Sequence, residues 1–285
     1  MVREAYRERR IAAQDGLALY YRDYGDPNAG DTPVLCLGGL TRNSKDAHTV
    51  ALRLSQRRRV LCPDYRGRGK SAYDPNPANY RPEIYGSDAI QVLDAANVHK
   101  VVVIGTSLGG LLGMALAVIR PAALAGVIMN DIGPDIPKAG ASRIAGYIGT
   151  AEVFDDWPSA AAALRTRHAK AYPGVGEDFW LAQARDTYTQ SDDGKIVTDY
   201  DVALAKSFGA GADIPPLWPM FRALLNIPVL AIRGALSDVL TAETFDKMAR
   251  EKPDLIRLTV ANRGHVPLLD EPDAAAAVDG FLARL

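Results

Sequence analysis

Short apolar runs alternate with stretches of helical spacing over most of this chain. The strand-like runs lie at residues 33–37, 59–62, 100–104, 125–130, 228–233 and 255–260. Two earlier segments, at residues 10–13 and 17–24, flank Asp15-Gly16, a pair that is typical of a hairpin turn. Strands separated by helices favour a mostly parallel sheet that is covered on both faces. The pattern therefore predicts an α/β fold that begins with an antiparallel hairpin and closes with a helix over residues 273–285.

The alternation stops between Pro134 and Pro216. This segment is rich in alanine and has helical spacing, so it predicts a helical cap inserted above the strand ends. The expected division is a core at residues 1–133 and 217–285 and a cap at residues 134–216. Aromatic residues of the cap either line a substrate pocket or form the core of the cap itself, and the candidates for substrate contact are Tyr147, Trp157 and Trp180, with Tyr172 beside them.

The segment with the clearest chemistry is Gly-Thr-Ser-Leu-Gly at residues 105–109, between a buried strand and an apolar helix. A serine in a G-x-S-x-G turn of this kind sits on a strained strand-to-helix bend that exposes its hydroxyl at the sheet edge. The sequence therefore indicates Ser107 as a nucleophile, with the N–H of Leu108 aimed at a developing oxyanion. The alternative is a packing turn whose serine only caps the helix.

A nucleophilic serine needs a base, and the chain has four histidines. His265 follows the strand-like run at residues 255–260 and comes after a glycine, so its loop is expected at the same sheet edge as the serine. His99 precedes the serine strand and belongs to the opposite edge, and His168 lies in a charged helical stretch where a solvent-exposed side chain is expected. The sequence therefore favours His265 as the base.

Two aspartates follow strand-like runs and compete for the place beside the imidazole. Asp238 lies in the loop after residues 228–233, and the chain order serine, aspartate, histidine is the one expected for this kind of elbow. Asp131 directly follows the run at residues 125–130, where it could equally brace a loop. From loop placement we expect Asp238 to orient His265.

A second oxyanion donor is expected from the loop after residues 33–37, which reads Gly38-Gly39-Leu40. The two glycines let the backbone approach the serine, so the N–H of Leu40 is the expected donor. Arg42, in the same loop, is a further candidate for substrate contact.

Together, Gly38-Gly39-Leu40, Asp64-x-Arg66-Gly67-x-Gly69-x-Ser71, the serine elbow, Asp238 and Gly264-His265 resemble the α/β-hydrolase superfamily in order and spacing. The likeness runs from about Leu17 to the C-terminus and is weakest in the cap. It implies an α/β-hydrolase fold with a Ser107–Asp238–His265 triad and an oxyanion hole at Leu40 and Leu108. Many members carry a His-Gly pair where this chain has Gly38-Gly39, and that histidine usually braces the loop. Relatives that cleave haloalkanes or epoxides use aspartate at the elbow, so the serine argues against those activities.

The net charge and the cysteine content of the chain argue against several classes of function. A formal charge of −1 and a pI near 6.4 give no attraction to nucleic acid or to an anionic membrane. Two cysteines in apolar strands suit a reducing cytoplasm and are too few for a metal site. The uncharged stretch at residues 101–119 is long enough for a membrane span, but a strand, an elbow and a buried helix explain its glycines better. We therefore expect a cytoplasmic protein without cofactor or metal, acting on a small molecule; a homodimer is left open.

These features predict a serine hydrolase of small, fairly apolar carboxylic esters or lactones. The same residues would also serve carbon–carbon bond hydrolysis of diketone-like ring-cleavage products. From a different class, the fold could be a ligand-binding module with a vestigial triad. Multiple turnover would favour an enzyme, whereas slow turnover with tight ligand retention would favour a binding module. Fold alone does not decide the substrate.

Overall fold

The computed structural model describes residues 5–206 and 215–285. In that part of the chain the strands and α-helices are β1 (Arg7–Ala12), β2 (Ala18–Tyr24), β3 (Val34–Leu37), α1 (His48–Leu54), β4 (Val60–Asp64), α2 (Pro82–Ala95), β5 (Val101–Thr106), α3 (Leu108–Ile119), β6 (Leu124–Asn130), α4 (Lys138–Ala145), β7 (Val153–Phe154), α5 (Trp157–His168), α6 (Glu177–Thr187), β8 (Tyr188–Gln190), β9 (Ile196–Thr198), α7 (Trp218–Arg222), β10 (Val229–Gly234), α8 (Ala242–Glu251), β11 (Ile256–Val260) and α9 (Pro272–Leu282). Short 3₁₀ turns join several of them.

Eight strands of the described residues form one sheet in the order β1-β2-β4-β3-β5-β6-β10-β11. The first two pairings, β1 with β2 and β2 with β4, are antiparallel, and all later pairings are parallel. This confirms the predicted hairpin and the mostly parallel sheet. The parallel strands run in one direction, so their carboxyl ends and the loops that follow share one edge, where sites of such sheets are found.

The hydrophobic core lies on both faces of this sheet. Leu35 and Val103 belong to one buried cluster, while their chain neighbours Val34 and Val102 belong to the other. Successive side chains of a strand point to opposite faces, and helices cover both faces, so β3 and β5 are buried along almost their full length. This explains why the central strands appear in the sequence as continuous apolar runs.

The uncharged stretch at residues 101–119 is strand β5, a one-residue turn and helix α3, as predicted. Eight of the twelve residues of α3 are buried, because this helix packs against the sheet. Within residues 5–206 and 215–285, no helix has the length and apolar character needed to cross a membrane.

The segment between β6 and β10 differs in part from the predicted helical cap. It contains helices α4, α5 and α6, but also a small antiparallel sheet in the order β7-β9-β8. These strands have only two or three residues each, too few for an alternating pattern to be visible in the sequence. Leu164, Trp180 and Tyr188 form part of a separate buried cluster within this segment. Residues 207–214 of the predicted cap lie outside the described residues, and the division of the chain at residues 134–216 stays a prediction.

Candidate active site

Ser107 occupies a sharp turn between β5 and α3. Its backbone angles are φ 52° and ψ −114°, a left-handed region that costs a non-glycine residue roughly 1–3 kcal/mol. The neighbouring glycines permit this turn: a Cβ at Gly105 would lie 2.3 Å from the Gly109 carbonyl oxygen, and one at Gly109 would lie 2.0 Å from the Leu37 carbonyl oxygen. The close approach of α3 to β3 and β5 therefore holds the serine hydroxyl at the carboxyl edge of the sheet.

His265 lies beside this hydroxyl. Its Nε2 atom is 3.0 Å from Ser107 Oγ, although 158 positions separate the two residues in the chain. The loop after β11 reaches the serine by crossing the end of β10, where a Cβ at Gly234 would lie 2.4 Å from the Gly264 carbonyl oxygen. The imidazole is only 9% exposed. The predicted proximity of serine and histidine is confirmed.

The carboxylate beside the imidazole is Asp131. Its Oδ2 atom lies 2.8 Å from His265 Nδ1, and the side chain is fully buried. A carboxylate can only accept, so Nδ1 carries the proton of a neutral imidazole and Nε2 is free to accept one from the serine. Asp131 also accepts from the Gly234 N–H at 2.7 Å and from the Ser237 hydroxyl at 2.6 Å. Three donors converge on this one carboxylate.

The expectation that Asp238 orients His265 is wrong. Asp238 forms an ion pair with Arg143, which donates from Nη2 at 2.8 Å, and both side chains are more than a third exposed. Burial raises the pKa of Asp238, but the hydrogen bond and the positive charge of Arg143 lower it by more, so this pKa lies below its usual value. Asp238 is thus held at the surface by a cap residue.

Sheet order explains this outcome. Strand β6 pairs directly with β5, with Thr106 opposite Asn130, so Ser107 and Asp131 leave the sheet side by side. The Ser107 N–H donates to the Asn130 carbonyl at 3.0 Å and tightens this junction. Strand β10 lies one position further from the serine. A signal was present in the sequence, because Asp131 directly follows its strand whereas Asp238 comes four residues after β10 ends.

The two expected oxyanion donors flank the serine. Leu108 is the first residue of α3, and both Leu40 and Leu108 line the cavity that contains Ser107. A Cβ placed on Gly39 would lie 3.9 Å from Ser107 Cβ, so the loop after β3 does come close to the hydroxyl. Neither of the two N–H groups donates to a backbone carbonyl in the described part of the chain.

Above Ser107 lies a cavity of about 460 Å³, roofed by the segment between β6 and β10. Its apolar wall includes Leu111, Ile136, Ile144 and Leu164. A concave, mostly apolar space with a few polar groups at one end is typical of a site for a small organic molecule.

Three of the four candidate contact residues line this cavity: Arg42, Tyr147 and Trp180. The fourth, Trp157, is not among the lining residues. It is partly buried and packs against the cluster of Leu164, Trp180 and Tyr188, with the Arg185 guanidinium 5.0 Å from its ring. Trp157 is the first residue of α5. Helical spacing in the sequence shows that an aromatic residue lies on the apolar face of a helix, but not which other element that face contacts.

His168 does not have the solvent-exposed position that the sequence predicts. It lines the cavity, and its ring meets that of Tyr147 edge to face at 6.2 Å. Burial lowers the pKa of His168 to about 4, and the nearby Arg167 adds to the effect, so this histidine is neutral at pH 7. Of the charged residues beside it in the sequence, Arg165 is exposed and pairs with Glu177, whereas Arg167 also lines the cavity.

Tyr172 has a role at the site that the sequence did not indicate. Its hydroxyl donates to the Val266 carbonyl at 2.8 Å and accepts from the Val266 N–H at 3.0 Å. Burial raises the pKa of Tyr172 to about 12, so the hydroxyl keeps its proton. This contact joins the cap to the loop that carries His265.

The charged groups of the cavity wall are largely paired. Arg42 forms a bidentate pair with Asp46, and Arg167 pairs with Glu152. The charged residues among the described lining side chains are Arg42, Lys138, Arg167, Asp46 and Glu152. In the described ranges, no group of three or more histidine, cysteine, aspartate or glutamate side chains is arranged to hold a metal ion.

A serine elbow at the carboxyl edge of a parallel sheet, with an imidazole and a carboxylate in line behind it, defines an α/β enzyme of the hydrolase type. The chain belongs to the alpha/beta hydrolase family, whose family model matches residues 34–278. It is 34% identical to a 3-hydroxybutyrate-oligomer hydrolase of Cupriavidus necator over 92% of both chains. A 2-(acetamidomethylene)succinate hydrolase of Mesorhizobium japonicum is 26% identical over 81% of both.

Among solved structures, an alpha/beta hydrolase from Novosphingobium aromaticivorans superposes with a TM-score of 0.93. It is 41% identical to this chain and covers 99% of both. Since the match covers nearly all of this chain, the similarity extends beyond the sheet to the segment between β6 and β10.

Proposed function

We propose that this chain is a serine hydrolase of carboxylic esters and that its substrates are short esters of hydroxy acids, such as 3-hydroxybutyrate oligomers. The observation that carries the proposal is the continuous contact from Ser107 through His265 to Asp131, with distances of 3.0 and 2.8 Å. These are the contacts by which a base activates a serine hydroxyl and a carboxylate orients the base.

In this mechanism Nε2 of His265 takes the hydroxyl proton while Ser107 Oγ attacks the ester carbonyl carbon. The oxyanion of the tetrahedral intermediate accepts hydrogen bonds from the N–H groups of Leu40 and Leu108. The intermediate collapses to an acyl-serine, and the leaving alcohol receives the proton from His265. Water then enters, gives a proton to His265 and attacks the acyl carbon, which releases the acid and returns the proton to Ser107. The Asp131 carboxylate holds the imidazole in place and stabilises the transient imidazolium.

The substrate class rests on the relative and on the mostly apolar wall of the cavity. A 3-hydroxybutyrate oligomer is a short, weakly polar ester chain that ends in a carboxylate. The cavity wall is mostly apolar, and the guanidinium groups of Arg42 and Arg167 lie in it beside their partners Asp46 and Glu152. The 34% identity to the 3-hydroxybutyrate-oligomer hydrolase supports the same assignment.

The test is a turnover panel with purified protein. It contains the 3-hydroxybutyrate dimer and trimer, the methyl ester of the dimer, short p-nitrophenyl esters, a lactone and a diketone. We expect multiple turnover of the dimer and a higher KM for its methyl ester, which lacks the carboxylate. The Ser107→Ala variant should lose at least about 10³-fold in turnover and all labelling by a fluorophosphonate probe.

Each other outcome points to a different conclusion. Hydrolysis of the diketone but of no ester would favour carbon–carbon bond cleavage. Tight retention of a ligand without turnover would favour a binding module. Equal KM for the dimer and its methyl ester would leave the esterase but remove the carboxylate from the recognition.

A further inference from the structure

Arg68 is a buried arginine beside the loop that carries Leu40, and the mechanism above makes no use of it. Its side chain is 0% exposed. Nε and Nη2 both donate to the Leu40 carbonyl oxygen, at 2.9 and 2.7 Å, and Nη1 donates to the Tyr85 hydroxyl at 2.7 Å and to the Arg66 carbonyl at 2.8 Å. The guanidinium also lies 4.5 Å from the centre of the Tyr85 ring. In residues 5–206 and 215–285 it has no carboxylate in ion-pair contact.

Its neighbour in the same motif is neutralised in the usual way. Arg66 pairs with Asp15, Asp74 and Asp88, each at 2.7 Å. Arg68 keeps its charge in an environment of carbonyls and tyrosine rings, where burial lowers its pKa. Burying a cation without a counter-ion costs free energy, and the hydrogen bonds that its N–H groups donate must offset this cost. We therefore expect these hydrogen bonds to have a role beyond packing.

The backbone around Arg68 is fixed by two glycines. Gly67 and Gly69 have φ of +74° and +52°; a Cβ at Gly67 would lie 2.7 Å from the Tyr80 ring, and one at Gly69 would lie 2.3 Å from an Asp64 carboxylate oxygen. The Arg68 N–H donates to the Tyr65 carbonyl at 3.1 Å. The turn is therefore held rigidly at the end of β4, next to β3. Because the backbone of Arg68 is fixed, the position of its guanidinium group is restricted as well.

The loop from Gly38 to Leu40 is held through its carbonyl groups. The Gly38 carbonyl accepts from the Gly109 N–H and from the Tyr65 hydroxyl, both at 3.1 Å, and the Gly39 carbonyl accepts from the Arg42 N–H at 3.1 Å. The Leu40 carbonyl is the remaining one, and Arg68 binds it twice. The peptide planes before and after Leu40 are thus both fixed, which sets the direction of the Leu40 N–H.

We propose that Arg68 is the positioning residue of the oxyanion loop, holding the Leu40 N–H in place through two hydrogen bonds to the Leu40 carbonyl. Arg68 and Tyr65 do for this loop what a histidine in place of Gly38 does in relatives that carry His-Gly there. The inference rests on the proposed function, because it assumes that an oxyanion forms beside Leu40.

The experiment compares Arg68→Met, which keeps the length and removes every donor, with Arg68→Lys, which keeps the charge but not the fork. The matched control is Arg58→Met. Arg58 is also buried and also donates to carbonyls, but these belong to Thr32 and Leu282, which do not line the cavity as Leu40 does. It also pairs with Asp31. Circular dichroism and urea unfolding report the loss of stability in all three.

For Arg68→Met we expect kcat on the best ester to fall about 10²-fold, the scale of losing one oxyanion donor, with KM changed less than about threefold. The affinity for a trifluoromethyl ketone, whose serine adduct carries an oxyanion, should fall in proportion to kcat. The affinity for the product acid should stay constant. Arg68→Lys should fall in between, and Arg58→Met should lose stability but keep kcat.

A folded Arg68→Met variant with normal kcat and normal ketone affinity would overturn the inference, as would equal kinetic losses in Arg58→Met. If Arg68→Met does not fold, Arg68→Lys decides: a proportional loss of kcat and ketone affinity supports the role, and unchanged values refute it. Failure of the proposed function looks different, because the wild-type protein would then turn over no ester and would not be labelled by the fluorophosphonate probe.

Discussion

Replacing Asp131 by asparagine removes one charge from the buried centre of the site and almost no volume. The carboxylate accepts from the Gly234 N–H, the Ser237 hydroxyl and His265 Nδ1, at 2.6 to 2.8 Å. An asparagine oxygen can still accept from Gly234, which leaves the amide NH₂ directed at Ser237 and the imidazole. A donor in that place favours the tautomer with the proton on Nε2, and such an imidazole cannot take the proton of Ser107.

The expected loss is about 10⁴-fold in kcat, as for other triads in which the carboxylate becomes an amide, or about 5.4 kcal/mol at 1.36 kcal/mol for each factor of ten. The matched control is Asp238→Asn, because Asp238 shares the sequence setting of a loop after a strand. Its pair with Arg143 is more than a third exposed, so kcat should change less than about twofold and stability by less than about 1 kcal/mol.

The assay is steady-state hydrolysis of the best ester, normalised by the number of sites that a fluorophosphonate probe titrates in the wild-type protein. Circular dichroism on both variants separates misfolding from lost chemistry. If Asp131→Asn keeps kcat within tenfold while Asp238→Asn loses most activity, the reasoning from sheet order and hydrogen bonding is wrong. The serine and histidine assignments would survive that result.

Burial lowers the pKa of His168 to about 4, so between pH 4 and 6.5 the unfolded chain binds one proton more than the folded chain, and stability is lost as the pH falls through this range. In urea unfolding, acidification from pH 7 to 5 should therefore cost the wild type about 2 kcal/mol more than the His168→Gln variant. An equal pH dependence of the two proteins would contradict the buried position of His168. Gly109→Ala should lower the free energy of unfolding by about 3 kcal/mol or more in the same assay, because the new Cβ would lie 2.0 Å from a carbonyl oxygen of β3. Gly280→Ala in α9, where the space around the Cβ is open, should raise it by about 0.5–1 kcal/mol. Similar effects of both substitutions would refute the steric explanation. Tyr172→Phe removes both hydrogen bonds to the loop that carries the imidazole, so kcat should fall about tenfold with the circular dichroism spectrum unchanged, and a normal kcat would show that the loop holds its place unaided.

The elements that the sequence predicted well are those whose signal is local. The hairpin around Asp15-Gly16, the buried parallel strands and the turn at Ser107 each depend on residues within a few positions of one another. Glycines on both sides of the serine and an apolar run on each flank were enough, because sterics and hydrophobic periodicity act over that range. His265 could also be found, since only one histidine follows a late strand.

Where the sequence failed, the missing information was which elements are neighbours. The helical periodicity of α5 places His168 and Trp157 on a helix. Only the packing of that helix against α6 decides that His168 lines the cavity while Trp157 packs against the separate cluster. The strands β7, β8 and β9 are too short for periodicity and exist because they pair with each other.

The sequence by itself determined that this chain forms a parallel sheet with a serine elbow, and that the residues able to activate that serine lie in loops after later strands. Only the tertiary structure decided between Asp131 and Asp238. Both are aspartates in loops after strands, and although Asp131 follows its strand directly, the sequence does not show which of the two strands lies beside β5. The order β5-β6-β10 places Asp131 next to Ser107, and the Arg143 guanidinium draws Asp238 to the surface. Which strands become neighbours in a sheet depends on how the whole core packs on both faces of that sheet. No short stretch of residues therefore determines the strand order.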